Sequence, residues 1–193
     1  MNFVQIQFVW FMSLVLVSYW TLGRLPRGRV LQNILLMSAS CVFYGWVHPW
    51  FLILLFLSAF NDFFAAQSLE RWPRYKNYIL IAAMSVNLGI LGYFKYFNFF
   101  IENVVRAGES LGVQMHLSTF AIVLPVGVSF YTFQAIAYTI DVYRGDLRAR
   151  TNLLDYLPFV TFFPQLVAGP IERASNLLTQ MEHERIFDVH KLL

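Results

Sequence analysis

The ionisable side chains inside apolar segments are the first candidates for chemistry in this sequence. A charged group at membrane depth is costly, so it marks a functional site by default. Asp62 follows Asn61 inside an apolar run, where it either binds a polar group or lies close enough to the membrane surface to be wet. Lys95 stands among aromatic residues. We interpret it as a lysine that extends its stem to the interface, in preference to a catalytic lysine.

Neutral polar side chains form a second candidate set in one later apolar segment. Pro125 and Gly127 precede Ser129, Tyr131, Thr132 and Gln134. Ser129 and Thr132 are three residues apart and share a helix face, whereas Gln134 lies on a different one. Such groups either hydrogen-bond to neighbouring helices or line a substrate path, and the sequence leaves both readings open.

The histidines and the single cysteine are weak candidates for a catalytic base or a metal site. His48 and His116 fall in turns, while His183 and His190 are seven residues apart, unlike the usual spacing of about four in helical metal pairs. Cys41 lies in an apolar run and is typical of helix packing. We therefore expect no metal site.

Composition predicts an all-α polytopic membrane protein. The chain is 58% hydrophobic and 13% charged, whereas soluble domains average about 25% charged residues. A spanning helix needs about 20 apolar residues. Five such spans are predicted, over residues 3–22, 30–47, 50–66, 78–100 and 119–140. The net charge of +3 comes from the turns between them, so it predicts membrane topology and no nucleic-acid partner.

A proline-broken segment over 153–170 follows the fifth span. Pro158, Pro164 and Pro170 stand six residues apart, and each removes a backbone donor. Freed carbonyls at membrane depth are tolerated where they face protein or a watery cavity, so we predict a re-entrant or tilted segment. Residues 176–193 are predicted to form an amphipathic helix. That helix has no capping signal at its end, which we interpret as truncation of a longer chain.

Loop charges predict the orientation in the membrane. The loop after the first span is +3, the 67–77 loop is +2 (three basic residues minus one acidic) and the 141–150 turn is +1 (three minus two). The intervening 101–118 loop is −1 (one basic minus two acidic). Since positive loops stay in the cytoplasm, the N-terminus is predicted to lie outside.

Three blocks in register carry a family resemblance: LGYFKYFNFF at 91–100, LPVGVSFYTFQAIAYTIDVYRGD at 124–146 and FFPQLVAGPIER at 162–173. They resemble the membrane-bound O-acyltransferase superfamily, in the branch of the bacterial alginate O-acetylases. The order and spacing of the blocks also match, and the resemblance extends over the whole chain.

The resemblance implies a many-helix protein of the bacterial inner membrane, wrapped around a thinner central funnel. It implies O-acetyl transfer to hydroxyls of an exported polysaccharide such as alginate. The implied acyl donor is acetyl-CoA or an acyl carrier, and the implied partners are another acetyltransferase or polymer-export proteins. The family's signature histidine is expected beyond Leu193, so no catalytic role is assigned to any residue of this chain.

Seven residues are predicted to line the funnel or to support it: Gln134, Asp141, Pro164, Gln165, Gly169, Pro170 and Arg173. At Gln165 some alginate-branch members have a histidine. Two other functions stay open. One is a noncatalytic membrane scaffold or remnant that pairs with a separate C-terminal half. The other is a small transporter or channel. The scarcity of charges within the spans and the absence of a visible inverted repeat count against it.

Overall fold

The computed structural model describes residues 6–46, 48–110, 127–168 and 173–185, apart from the side chains of residues 98, 167 and 168. Within these ranges the chain is α-helical, with one short 3₁₀ turn at Pro73–Tyr75 and no strand. The all-helical prediction is therefore confirmed for the described residues. The helices are α1 (Ile6–Leu22), α2 (Gly28–Gly45), α3 (Phe51–Arg71), α4 (Lys76–Ser110), α5 (Val128–Arg144), α6 (Leu153–Thr161), α7 (Phe163–Ala168) and α8 (Ala174–Glu182).

Two helical stretches of the described chain are long and apolar enough to cross a membrane. They are Phe51–Arg71 and Pro73–Phe97, and α1 is apolar but only 17 residues long. The predicted fifth span, 119–140, begins outside the described residues, and α5 covers its second half. The count of five spans therefore stays a prediction.

Helix α4 is longer than the sequence pattern predicts. It runs for 35 residues to Ser110, so the predicted boundary at Phe100 is wrong. At a rise of 1.5 Å per residue it is about 52 Å long, which exceeds the roughly 30 Å hydrocarbon core. The extension carries Glu102, Asn103 and Arg106 with mostly exposed side chains. Polar residues continue a helix as readily as apolar ones when no proline intervenes.

Helix α3 lies at the centre of the described structure. It contacts α2, α4, α5 and α6. Its Ala59 and Ala66 are fully buried, as is Ala135 of α5. Small side chains at these positions let helices approach closely, which is the usual basis of packing between helices in membranes.

The proline-broken segment forms two short helices. α6 ends at Thr161 and α7 begins at Phe163, and between them Phe162 has φ −56° and ψ 97°. Asn152 caps the start of α6, because its side-chain oxygen accepts from Leu154 N at 3.0 Å. The structure thus contains the predicted break, and its course relative to the bilayer stays a prediction.

The amphipathic helix is shorter than predicted. α8 ends at Glu182, so the prediction is wrong for residues 183–185, and residues 186–193 lie outside the described range. The side chains of His183 and Arg185 contact backbone carbonyl oxygens in the last turn of α8. His183 Nδ1 lies 2.8 Å from Thr179 O, and Arg185 Nε donates to Gln180 O at 2.9 Å. Such contacts terminate a helix without a further turn.

Candidate functional site

The break at Phe162 exposes backbone groups that two neighbouring helices satisfy. Gln134 Nε2 of α5 donates to Phe159 O at 2.7 Å, in a buried position. Phe163 N, at the start of α7, donates to Ser40 Oγ of α2 at 3.3 Å. A buried carbonyl or amide without a partner is costly, so these side chains make the break possible inside a packed structure.

The two prolines in the described part of the broken segment differ in what their missing donor costs. Pro164 lies in the first turn of α7, where backbone amides have no acceptor within their own helix. Pro158 lies inside α6, where it removes the hydrogen bond that an amide at this position would donate to Leu154 O. Thr161 Oγ1 donates to Leu157 O at 2.9 Å and satisfies a carbonyl near the end of α6.

Three buried hydroxyls belong to α2 and to the first part of α5. Tyr44 Oη, Tyr131 Oη and Thr132 Oγ1 have no hydrogen-bond partner among the residues that the structure describes. The backbone of Gly127 borders the Tyr44 hydroxyl, because a Cβ built there would lie 3.2 Å from Tyr44 Oη and 2.9 Å from Leu166 O. Since buried hydroxyls normally bond to protein or water, these three can accept water or a polar group of a substrate.

Asp62 belongs to a separate buried network that joins three helices. It accepts from Asn87 Nδ2 of α4 at 2.5 Å and from Thr139 Oγ1 of α5 at 2.6 Å. Ser58 Oγ of α3 donates to Asn87 Oδ1 at 2.7 Å. Asp62 is fully buried, so the interpretation that it is wet is wrong. Its role in this arrangement is to hold α3, α4 and α5 together.

Lys95 lies outside this network, on the exposed surface of α4. Its Nζ lies 5.3 Å from the centre of the Tyr96 ring, a cation–π distance. This environment agrees with an interfacial lysine.

A polar junction connects α2, α6 and the end of α8. Asn33 Nδ2 donates to Asp155 Oδ1 at 2.9 Å and to Met181 O at 3.1 Å. Asp155 also faces Arg29, with Nη1 and Oδ2 3.6 Å apart. Arg185 Nη2 donates to Asn33 Oδ1 at 2.7 Å. The junction holds α8 against the broken segment.

Asp141 and Arg173 lie near each other at the far end of α5. Burial raises the pKa of the Asp141 carboxyl and Asp146 raises it further, whereas Arg144 and Arg173 lower it. Arg173 is exposed and precedes the first residue of α8. A carboxyl and a guanidinium in this position can bind a polar or charged group at the end of the bundle.

The structure divides the predicted site residues into two groups. Gln134, Pro164 and Gln165 lie beside the break, and Gln165 is buried at 7% exposure. Asp141 and Arg173 lie at the end of α5, seven residues or about 10 Å along the helix from Gln134. Gly169 and Pro170 fall outside the described residues.

Sequence reasoning missed the polar junction and the Tyr44 hydroxyl, whereas Tyr131 belongs to the polar residues singled out in the fifth span. Asn33 stood inside a predicted span, and a polar residue at that depth was a usable signal. Tyr44 carried no such signal, since it lay in an aromatic cluster at a span end. In the described parts of the chain no three histidine, cysteine, aspartate or glutamate side chains meet in a way that would hold a metal ion.

Comparison with known proteins identifies several O-acetylating relatives. "Probable alginate O-acetylase AlgI" of Pseudomonas aeruginosa is 40% identical over 166 residues, which are 81% of this chain and 30% of the relative. The protein of the same name from Azotobacter vinelandii is 40% identical over 183 residues, 90% of this chain and 35% of the relative. "Peptidoglycan O-acetyltransferase" of Helicobacter pylori is 31% identical over 198 residues, 89% of this chain and 37% of the relative.

The chain thus spans about a third of the length of the curated relatives it matches. No protein-family model matches the chain. No solved structure matches it significantly.

Proposed function

We infer the function of this chain from one premise: it belongs to the membrane-bound O-acyltransferase superfamily, in the branch of the bacterial alginate O-acetylases. We propose that it forms the N-terminal membrane part of an enzyme that transfers acetyl groups to hydroxyls of an exported polysaccharide. Alginate and peptidoglycan are the polymers that the names of its relatives give, and alginate occurs in most of them.

The observation that best supports the proposal is the polar surroundings of the break between α6 and α7. Gln134 holds the Phe159 carbonyl, and the hydroxyls of Tyr44 and Tyr131 lie buried near Gly127. Buried hydroxyls without a protein partner among the described residues are available to a hydroxylated acceptor or to water, which supports a polar path here. In the proposal these groups line one wall of the funnel.

The proposed reaction is an acyl transfer from a thioester, with acetyl-CoA or an acyl carrier as donor. The acceptor hydroxyl oxygen forms a bond to the acyl carbon, the carbon–sulfur bond breaks, and the thiolate leaves. A general base removes the hydroxyl proton, which then passes to the thiolate. The family's signature histidine, expected after Leu193, is proposed as that base. Residues of this chain position the reactants and exclude water.

The proposed location is the bacterial inner membrane, with the N-terminus outside and the positive loops in the cytoplasm. Partner proteins for donor supply or polymer export are proposed from the family resemblance. The polar junction and Arg173 face the same side as the positive loops in this orientation.

Loss and restoration of polymer acetylation test the proposed function. The gene is deleted in the source bacterium, and ester-bound acetate is measured in its exported polysaccharides and in its peptidoglycan. Deletion is expected to abolish the ester acetate of one polymer, and the complete gene on a plasmid is expected to restore it. Unchanged ester acetate in all polymers would refute the proposed acetyltransferase function.

The scaffold alternative makes a different prediction. Reading the coding DNA after Leu193 shows whether further apolar spans with a histidine follow in frame or in a separate gene. A separate second half whose product co-purifies with this chain would support a two-chain arrangement. A single continuous frame would exclude it.

A further inference from the structure

The groove between α1 and α8 combines an apolar wall with a cationic mouth. It is a cleft of about 580 Å³, lined along α1 by Met12, Val15, Leu16 and Trp20. From Met12 to Trp20 this wall is about 12 Å long, at 1.5 Å per residue. Phe162 of the broken segment and Leu177 of α8 close the opposite side.

A smaller cavity continues the groove at the end of α1. Trp20, Gly23, Arg24 and Arg185 line it, and Trp20 and Arg185 also line the apolar cleft. The long apolar part and the cationic part are therefore contiguous. Tryptophan at such a boundary is typical of the membrane–water interface.

The two arginines at the mouth form no direct ion pair in the described parts of the chain, although the Asp155 carboxylate of the polar junction attracts Arg185. The ion pairs found within the described ranges use Arg29 and Arg150, and neither Arg24 nor Arg185. Arg24 is exposed. Arg185 lies 5.6 Å from the centre of the Tyr19 ring, which fixes its guanidinium at the mouth. Among the described residues that line the two cavities, Glu184 is the one that is acidic.

We propose that this groove binds one anionic phospholipid, with an acyl chain along α1 and the phosphate at Arg24 and Arg185. Basic pockets between membrane helices on the cytoplasmic side bind anionic headgroups, and an apolar channel beside the pocket matches the acyl chain. The bound lipid fills the space between α1 and α8 and holds α8 at the membrane surface. The groove borders the broken segment at Phe162 and Pro164, and the proposed lipid is not a reactant in the acyl transfer.

Competition between two lipids tests the site. The chain, purified and delipidated in detergent, is incubated with equal amounts of phosphatidylglycerol and phosphatidylcholine, and native mass spectrometry counts the lipids that stay bound. Phosphatidylglycerol is expected to dominate. Each arginine near an anionic surface contributes a factor of about five, so Arg24→Gln should reduce the preference about fivefold. Glu184→Gln, which removes a negative charge, should increase it.

Two further variants separate this site from general surface charge. Arg74 is exposed in another basic loop, away from both cavities, so Arg74→Gln removes the same charge and should leave the preference unchanged. Leu16→Trp narrows the apolar cleft without a change in charge and should reduce retention of phosphatidylglycerol. Equal binding of the two lipids, or equal effects of Arg24→Gln and Arg74→Gln, would overturn the proposal.

Discussion

At the scale of single residues, the hydrogen bond from Gln134 to Phe159 O decides whether the break can be buried. The helical donor for this carbonyl would be Phe163 N, which donates to Ser40 Oγ instead, so the carbonyl needs a donor from elsewhere. Gln134→Leu keeps the volume and removes that donor. We expect a loss of about 1–3 kcal/mol in the free energy of unfolding, because a buried acceptor is left unsatisfied.

Thermal or denaturant unfolding in detergent measures this effect. Phe133→Leu is the matched control, since Phe133 precedes Gln134 on the same helix and is 43% exposed. The control should stay within about 0.5 kcal/mol of the unchanged protein. Equal stability of Gln134→Leu and Phe133→Leu would show that the hydrogen bond does not support the break.

Asp62 carries the second prediction at this scale. Its two oxygens accept from Asn87 and Thr139, whereas an asparagine offers one acceptor and two donors. Asp62→Asn keeps one acceptor for Asn87 but turns a donor toward Thr139, whose hydroxyl proton then loses its buried acceptor. We expect a cost of about 1–3 kcal/mol in unfolding experiments. Ser68→Ala, at an exposed position of the same helix, should be nearly neutral. A stable Asp62→Asn variant would argue against the network.

At the scale of elements, the entry into α5 depends on a glycine in a left-handed conformation. Gly127 has φ 77°, and a Cβ there would lie 2.9 Å from Leu166 O of α7. Gly145 at the other end of α5 has φ 84°, but a Cβ there would meet no atom within 4 Å. Gly127→Ala and Gly145→Ala each place a Cβ in the left-handed conformation, which costs about 1–2 kcal/mol of stability.

Gly127→Ala should be the more destabilising of the two, because it also forces α5 and α7 apart. We expect an additional cost of about 1–3 kcal/mol, measured by unfolding of the two variants side by side. In the complete enzyme Gly127→Ala should also reduce polymer acetylation. Equal stabilities would indicate that α5 and α7 are not in close contact.

The sequence was sufficient for the elements that rest on local pattern. Apolar runs predicted the helices, and three prolines predicted the break. The end of α8 was not predictable, because Arg185 leaves the helix to reach Asn33, 152 residues earlier in the chain. The hydrogen-bond partner of Gln134 was equally unpredictable from the sequence, since Phe159 O becomes available only where α6 ends. Local pattern carries no information about such distant contacts.

At the scale of the whole molecule, alternating loop charge predicts the course of the chain through the membrane. Alkaline phosphatase, which is active outside the cytoplasm, is fused after Arg29, Lys76, Ser110 or Arg148. Fusion after Ser110 should give activity, while the other three should not. An active fusion after Lys76 would reverse the orientation, and the cytoplasmic placement of the positive loops would then be wrong.

The central claim is that the broken segment borders a path for acyl transfer. The most direct test is to measure acetylation of the polymer by enzyme variants with single substitutions in this segment and beside it. In the complete gene, Gln165→Ala and Arg173→Ala are compared with Arg74→Ala at equal amounts of membrane-inserted protein. Ester acetate on the polymer should fall about tenfold or more for the first two, because misplaced reactants slow the reaction, and stay unchanged for the third. Full acetylation by the Gln165→Ala and Arg173→Ala enzymes would contradict the account.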